Sequence, residues 1–404
     1  MHIAIVAPPV PGHYDPLRVL AAALERRGHR ASFVHMPDAA RLVPGFGFEA
    51  VGARTHGPGA LARYADILAR ASRPTGFLAM IRATAAITSM LRQELPDALR
   101  RMRADAVVAD STEPAGGLVA RDVGLPWATS VTGLPLLREP AVPPPFVDWP
   151  YGDDPASLHR NRVGYRIADW LQRPIARAAG TANPAASFSP DLQVAQCPPQ
   201  LDFPRRALPP GFHYCGPWRA AAEAPPDLPA ADGRPLIYCS LGSLQGDRPS
   251  RFAAMTEACA RVGARALVAT GGRLSDADAA RLPGDPIVRA HWHQPSVLPH
   301  CRAAILHGGF NTVLDALAAG VPMLVAPIAF EQPGTAARVR HHGFGALLPK
   351  RLTADRIASA LRALLADEGM TGRARAVADQ MRTLGGIEEA ADRIDAFVRR
   401  RVPA

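Results

Sequence analysis

The stretch that most restricts the fold of this chain runs from Ala303 to Gln332, AAILHGGFNTVLDALAAGVPMLVAPIAFEQ. Ala303-Ala304-Ile305-Leu306 is a short apolar run, the pattern of a parallel strand buried on both faces, and Thr312 to Ala319 has helical spacing. His307, Gly308, Gly309 and Asn311 form the turn between them. A strand, a glycine turn and a helix N-terminus together present free N–H groups and the positive end of a dipole, which suits a phosphate. Thr312 is placed to cap the helix and to donate to an anion. Asp315 lies one turn on, where a carboxylate accepts from ribose hydroxyls. A second strand, Val321 to Pro327, ends near Glu331-Gln332, an acid beside an amide suited to sugar hydroxyls. The stretch reads as a site for a nucleotide sugar.

On these residues, His291 to Gln332 resembles the donor signature of family-1 glycosyltransferases of the GT-B fold. The whole chain is similar to the bacterial zeaxanthin glucosyltransferases, through Ala7-Pro8-Pro9, His56-Gly57-Pro58-Gly59-Ala60-Leu61, Glu113-Pro114-Ala115-Gly116, Leu134 to Pro140 and Leu201 to Pro209. The resemblance implies two doubly wound Rossmann-like domains facing across a cleft.

Length and pattern agree with two units. A chain of 404 residues accommodates two domains of about 200 residues each. A first strand, helix and strand cover His2–Ala7, Leu17–Arg27 and Arg30–His35, with Pro8–His13 read as a loop and no dinucleotide GxGxxG in the first turn. Residues 57–103 read as helices, Ala106–Ala109 as a strand ending at Asp110, and 131–155 as a long surface loop. The run 220–235 is Ala, Pro, Asp and Gly without apolar period, an interdomain linker. The expected organisation is an acceptor domain over 1–219, a donor domain over 236–386, and a tail over 387–404 whose helix returns to the first domain, as the resemblance implies. Strands are expected at 265–270, 286–290, 303–306 and 321–326, with a helix over 250–262.

Five scattered cysteines lack metal-ligand spacing and read as reduced packing residues. No apolar run reaches about 18 residues, and the N-terminus lacks a signal pattern, so a cytoplasmic protein is expected. The net charge of +10 rests almost wholly on arginine. These arginines are spread rather than blocked, which does not point to nucleic acid; coding bias and a face for lipid headgroups are the two readings.

Sugar transfer needs a base for the acceptor proton and stabilisation of the leaving diphosphate. His13 is the candidate base and Asp110, at the end of another strand, the carboxylate that orients it; a loop histidine and a helix cap are the competing readings. Family resemblance supports both positions. For the diphosphate the candidates are Gly242, Ser243, His307, Gly309, Asn311 and Thr312, with a core histidine as the alternative for His307. The family's stacking tryptophan falls at His291, with Trp292 one place later; either ring can stack, and Gln294 is a ribose or base contact. Asp315 addresses ribose, and Glu331 and Gln332 the hexose, glucose by resemblance. No paired acidic metal motif is present, so the expected reaction needs UDP-glucose as co-substrate and no metal. Direct attack inverts the anomeric centre. The apolar acceptor site is drawn from Phe77, Met80, Ile81, Met90, Leu134 and Leu136, with ordinary core packing as the alternative. Zeaxanthin is the first acceptor considered, and Arg160, Arg162, Arg166 and Arg173 would seat the protein on a membrane surface. The alternatives are a macrolide or polyketide glycosyltransferase using a UDP- or dTDP-sugar, a noncatalytic partner of another transferase, and an epimerase.

Overall fold

The computed structural model describes residues 1–220, 228 and 232–402, so most of the expected linker lies outside the described residues. The first half carries β1 (His2–Val6), β2 (Arg30–His35), β3 (Gly47–Ala50), β4 (Ala106–Asp110), β5 (Trp127–Val131), β6 (Gln193–Ala195) and β7 (Phe212–Tyr214). The second carries β8 (Leu236–Ser240), β9 (Arg265–Ala269), β10 (Ile287–Arg289), β11 (Cys301–Leu306), β12 (Met323–Val325) and β13 (Gly345–Leu347). The sheet orders are β3-β2-β1-β4-β5-β6-β7 and β10-β9-β8-β11-β12-β13, with every pairing parallel. Parallel strands need helices on both faces, and the central strands are accordingly apolar throughout. Each sheet reverses its winding once, between β1 and β4 and between β8 and β11. Ligands of such sheets bind beyond the carboxyl ends at that reversal, so both halves aim their switch points at one cleft.

Three departures from the sequence reading concern the cleft. The opening helix begins at Pro11 rather than Leu17, so His13 lies in its first turn. Proline fits there because its missing N–H is one of the unpaired donors of any helix start. Residues 131–155 are not a surface loop: Leu134, Ala141 and Val142 are buried, and the Pro145 carbonyl accepts from Gly334 N at 3.1 Å in the other half. The helix Pro155–Ala179 was not anticipated; few of its residues are buried.

The halves also meet away from the cleft. The closing helix Gly386–Arg401 lays Ile394, Phe397 and Val398 against Leu17, Leu20 and Leu24 of the opening helix, with Arg27 bonded to Asp392 at 2.8 Å and to Glu388 at 2.8 Å. Behind the cleft, Asp202 accepts from Arg338 Nε at 2.9 Å, Arg205 Nε at 2.8 Å and Tyr214 OH at 2.7 Å. Asp202 and Arg338 are buried, and burial of ions is tolerated because each carboxylate oxygen has donors.

Candidate active site

A single cavity of about 1370 Å³ runs between the halves and touches both switch points. On the first wall, β4 delivers Asp110 and the start of the opening helix delivers His13. His13 Nδ1 lies 3.3 Å from Asp110 Oδ1 and 2.7 Å from Thr132 Oγ1. Thr132 donates to Asp110 Oδ2 at 2.6 Å, and Thr112 donates to Oδ1 at 2.6 Å. A carboxylate only accepts, so the single hydroxyl hydrogen of Thr132 goes to Asp110, and its oxygen accepts from His13 Nδ1–H. That fixes the tautomer and leaves Nε2 with its lone pair free. Burial works to lower the His13 pKa, but the Asp110 carboxylate and its hydrogen bond, with help from Glu331, more than offset this and hold it above the ordinary value. Burial works to raise Asp110, yet His13, Thr112 and Thr132 hold it below the usual carboxylate range. Glu113, which caps the helix Pro114–Asp122 through Ala115 N, is pushed up to about 7, chiefly by burial.

The second wall is built on the start of the helix Phe310–Ala318, which no side chain caps. His307 is buried between two glycines: a Cβ on Gly242 would lie 2.5 Å, and one on Gly309 2.4 Å, from its Nε2. Burial pulls its pKa down to about 4, so the ring is neutral near pH 7, and its buried Nδ1 has no hydrogen-bond partner. Ser243, Thr312, His291, Gln294 and Glu331 line the same cavity. Burial raises the carboxyl pKa of Glu331, and His13 opposes it by charge. The preceding Phe330 has φ 58°, a conformation in which a bulky residue is strained.

Several expected donor contacts are already held by protein. Asp315 Oδ1 accepts from Arg219 Nε at 2.6 Å, and burial, partly offset by Arg219, raises its pKa. Asn311 Oδ1 accepts from Gln196 Nε2 at 2.8 Å, and Asn311 Nδ2 donates to the Gly12 carbonyl at 2.7 Å. That carbonyl is free because Pro16, four residues on, has no N–H to return to it. Gln332 accepts from Ile328 N and Ala329 N and donates to Gln245 Oε1 at 3.1 Å.

Trp292 is fastened into the core, with Nε1 donating to the Val268 carbonyl at 3.0 Å and Arg289 over its ring at 4.1 Å. The exposed His291 lines the cavity. Phe77, Met80, Ile81, Leu134 and Leu136 line the apolar end of the cavity. Met90 does not belong there: it is core, packed over Gly52, whose added Cβ would meet Met90 Cγ at 2.8 Å. The reading by residue type missed Thr112, Thr132, Gln196, Arg219 and Gln245. The signal for Thr112 was its place two residues after Asp110; the others are brought in from afar. Among the described residues no group of three or more His, Cys, Asp or Glu is placed to hold a metal.

Two facing parallel sheets with a histidine–carboxylate pair on one wall and an open helix start on the other define the GT-B class of glycosyltransferases. Residues 194–373 match the family described as UDP-glucoronosyl and UDP-glucosyl transferase. The zeaxanthin glucosyltransferase of Pantoea ananas is 36% identical over 411 residues, covering 98% of this chain and 95% of its own. That of Pseudescherichia vulneris is 36% identical over 410 residues, covering 98% of each. Among solved structures, the calicheamicin glycosyltransferase CalG4 superposes with a TM-score of 0.73 at 25% identity, covering 100% of this chain and 99% of its own. The chain belongs to the UDP-glucoronosyl and UDP-glucosyl transferase family, and it is a glycosyltransferase that draws on a nucleotide-sugar donor.

Proposed function

We propose that the chain transfers glucose from UDP-glucose, with inversion, to a hydroxyl of a carotenoid of the zeaxanthin type, without a metal ion. The observation that carries this reading is the His13–Thr132–Asp110 relay, which leaves Nε2 facing a cavity that is apolar at one end and meets an open helix start at the other. Nε2 removes the hydroxyl proton as the acceptor oxygen bonds to the anomeric carbon; the bond from that carbon to the diphosphate oxygen breaks, and UDP leaves with its electron pair. Attack opposite the leaving group turns an α-linked donor into a β-glucoside. His307, Gly242, Ser243, Gly309 and Thr312 receive the diphosphate, with Asn311 contributing its backbone N–H because its side chain is engaged. The helix start stands in for a cation. His291 and Gln294 take the base, Asp315 the ribose, and Glu331 the hexose while Gln332 shapes the loop beneath it. The names of the two relatives support the acceptor class, and the expected cellular place is the inner face of the membrane, as a peripheral protein.

The test is mass analysis of zeaxanthin dispersed in micelles after incubation with the purified chain, UDP-glucose and EDTA. A product heavier by one or two hexoses supports the reading. Turnover only with dTDP-sugars and a polyketide acceptor would replace the donor and acceptor assigned here, and sugar conversion without acceptor would make the chain an epimerase.

A further inference from the structure

Of the large apolar side chains left exposed among the described residues, three lie on one helix, Pro155–Ala179: Val163, Ile167 and Trp170, at 37%, 53% and 60% exposure. At about 100° per residue they fall within roughly 60° of one another. Arg162, Arg166, Arg173 and Arg177 fall in a second stripe of similar width beside them. All four are exposed, and among the described residues none has a carboxylate partner: the acid of this helix, Asp169, is bonded to Arg138 at 2.9 Å. Arg160, expected in this set, is excluded, because it stacks on Trp149 and donates to the Pro150 carbonyl. On the other flank of the apolar stripe come Gly164, Ala168, Leu171 and Ile175, which line the cavity. The order around the helix is therefore arginines, exposed apolar surface, cavity wall. Ile167 and the exposed Phe146 belong to the cavity lining as well, so the apolar surface is continuous with the acceptor end of the site.

We propose that this helix face docks on a lipid bilayer carrying anionic headgroups, and that the acceptor enters the cavity from the hydrocarbon without crossing water. The charge pattern selects this occupant: an unpaired arginine stripe beside Trp170 matches phosphate groups next to the hydrocarbon boundary, where tryptophan settles. A second copy of the chain would bring the same four cations against themselves. No helix among the described residues is long and apolar enough to span a membrane, so the contact is lateral. The inference rests on the acceptor being hydrophobic, as proposed above.

The experiment is co-sedimentation of the full chain with phosphatidylcholine vesicles, with and without added phosphatidylglycerol, beside turnover on micelle-dispersed acceptor. The wild type is expected to sediment with the anionic vesicles at low salt and to be released as salt is raised. The double variant Val163→Ser with Trp170→Ser should lose binding by roughly tenfold or more. The triple variant Arg162→Gln, Arg166→Gln and Arg173→Gln should lose the preference for anionic lipid; both variants should keep turnover on micelles. Equal sedimentation of wild type and the Val163/Trp170 variant, no binding of wild type to either vesicle, or a dimer that the Trp170 change dissociates would each overturn the proposal. No vesicle binding by the wild type while its micellar turnover persists would sink the docking surface alone; vesicle binding by the wild type without turnover would sink the acceptor assignment instead.

Discussion

The two walls of the cleft differ in how much of their chemistry the protein itself completes. On the first wall every polar atom of the relay except His13 Nε2 has a partner: both oxygens of Asp110 are donated to, Thr132 accepts and donates, and His13 is held by Nδ1. On the second wall capacity is left over. The start of the helix Phe310–Ala318 is uncapped, and the buried Nδ1 of His307 is unpaired. Orphaned buried polar groups are costly, and His307 lines the cavity beside the uncapped helix start, where a ligand would complete it under the proposed function. Under the proposed roles, the contrast teaches that the proton acceptor is preorganised by the fold, whereas the donor surface is completed by what binds it.

That contrast breaks most visibly at His13. His13→Ala should lower turnover by about 10²–10⁴-fold and leave UDP affinity unchanged by calorimetry; a parallel loss of affinity would mean the walls are not separable. Asp110→Asn should cost roughly a hundredfold and also move the pH profile. The base acts when neutral, so the wild-type rate should climb as pH rises through a value above about 6.5, because the folded pKa is raised. Without the Asp110 charge the burial effect remains, and the acid limb should shift to lower pH; an unmoved limb would detach the limb from His13. Gly309→Ala should show the opposite signature: its Cβ would collide with His307 at 2.4 Å, so UDP affinity should fall by roughly tenfold, about 1.4 kcal/mol, with turnover at saturating donor little changed. Thr132→Val should reduce turnover by about two- to tenfold, the value of one hydrogen bond, with donor KM unaltered and Thr132→Ser restoring the rate.

Much of this arrangement is legible in the residues. The apolar runs of β1, β4, β8 and β11 alternate with helices, so the paired sheets and the carboxyl-end positions of Asp110 and His307 follow from pattern. The glycine turn His307–Gly309 announced the helix start. What escaped was whatever depends on residues far apart in the chain. Thr132 and Gln196 are ordinary polar residues after short strands, and nothing local says that β5 and β6 carry them beside Asp110 and Asn311. Arg219 adjoins the low-complexity run, where its role on Asp315 leaves no trace. Met90 shared the helical apolar period of Phe77, Met80 and Ile81, and period alone does not tell a helix's core face from the rim of a pocket. Trp292 was ambiguous for the same reason until its ring nitrogen was seen bonded to β9.

The carbonyl that Pro16 leaves unclaimed acts as a gauge. Asn311 reaches it across the gap at 2.7 Å, and the bond displaces no intrahelical partner. It ties the first turn that bears His13 to the first turn that bears Thr312, one residue from each. The spacing between His13 and Thr312 is thereby held by a short contact that acts together with the Gln196–Asn311 and Arg219–Asp315 bonds. Replacing Pro16 with alanine would return that carbonyl to its own helix and leave the separation to those two bonds and to the more distant bracing around Asp202.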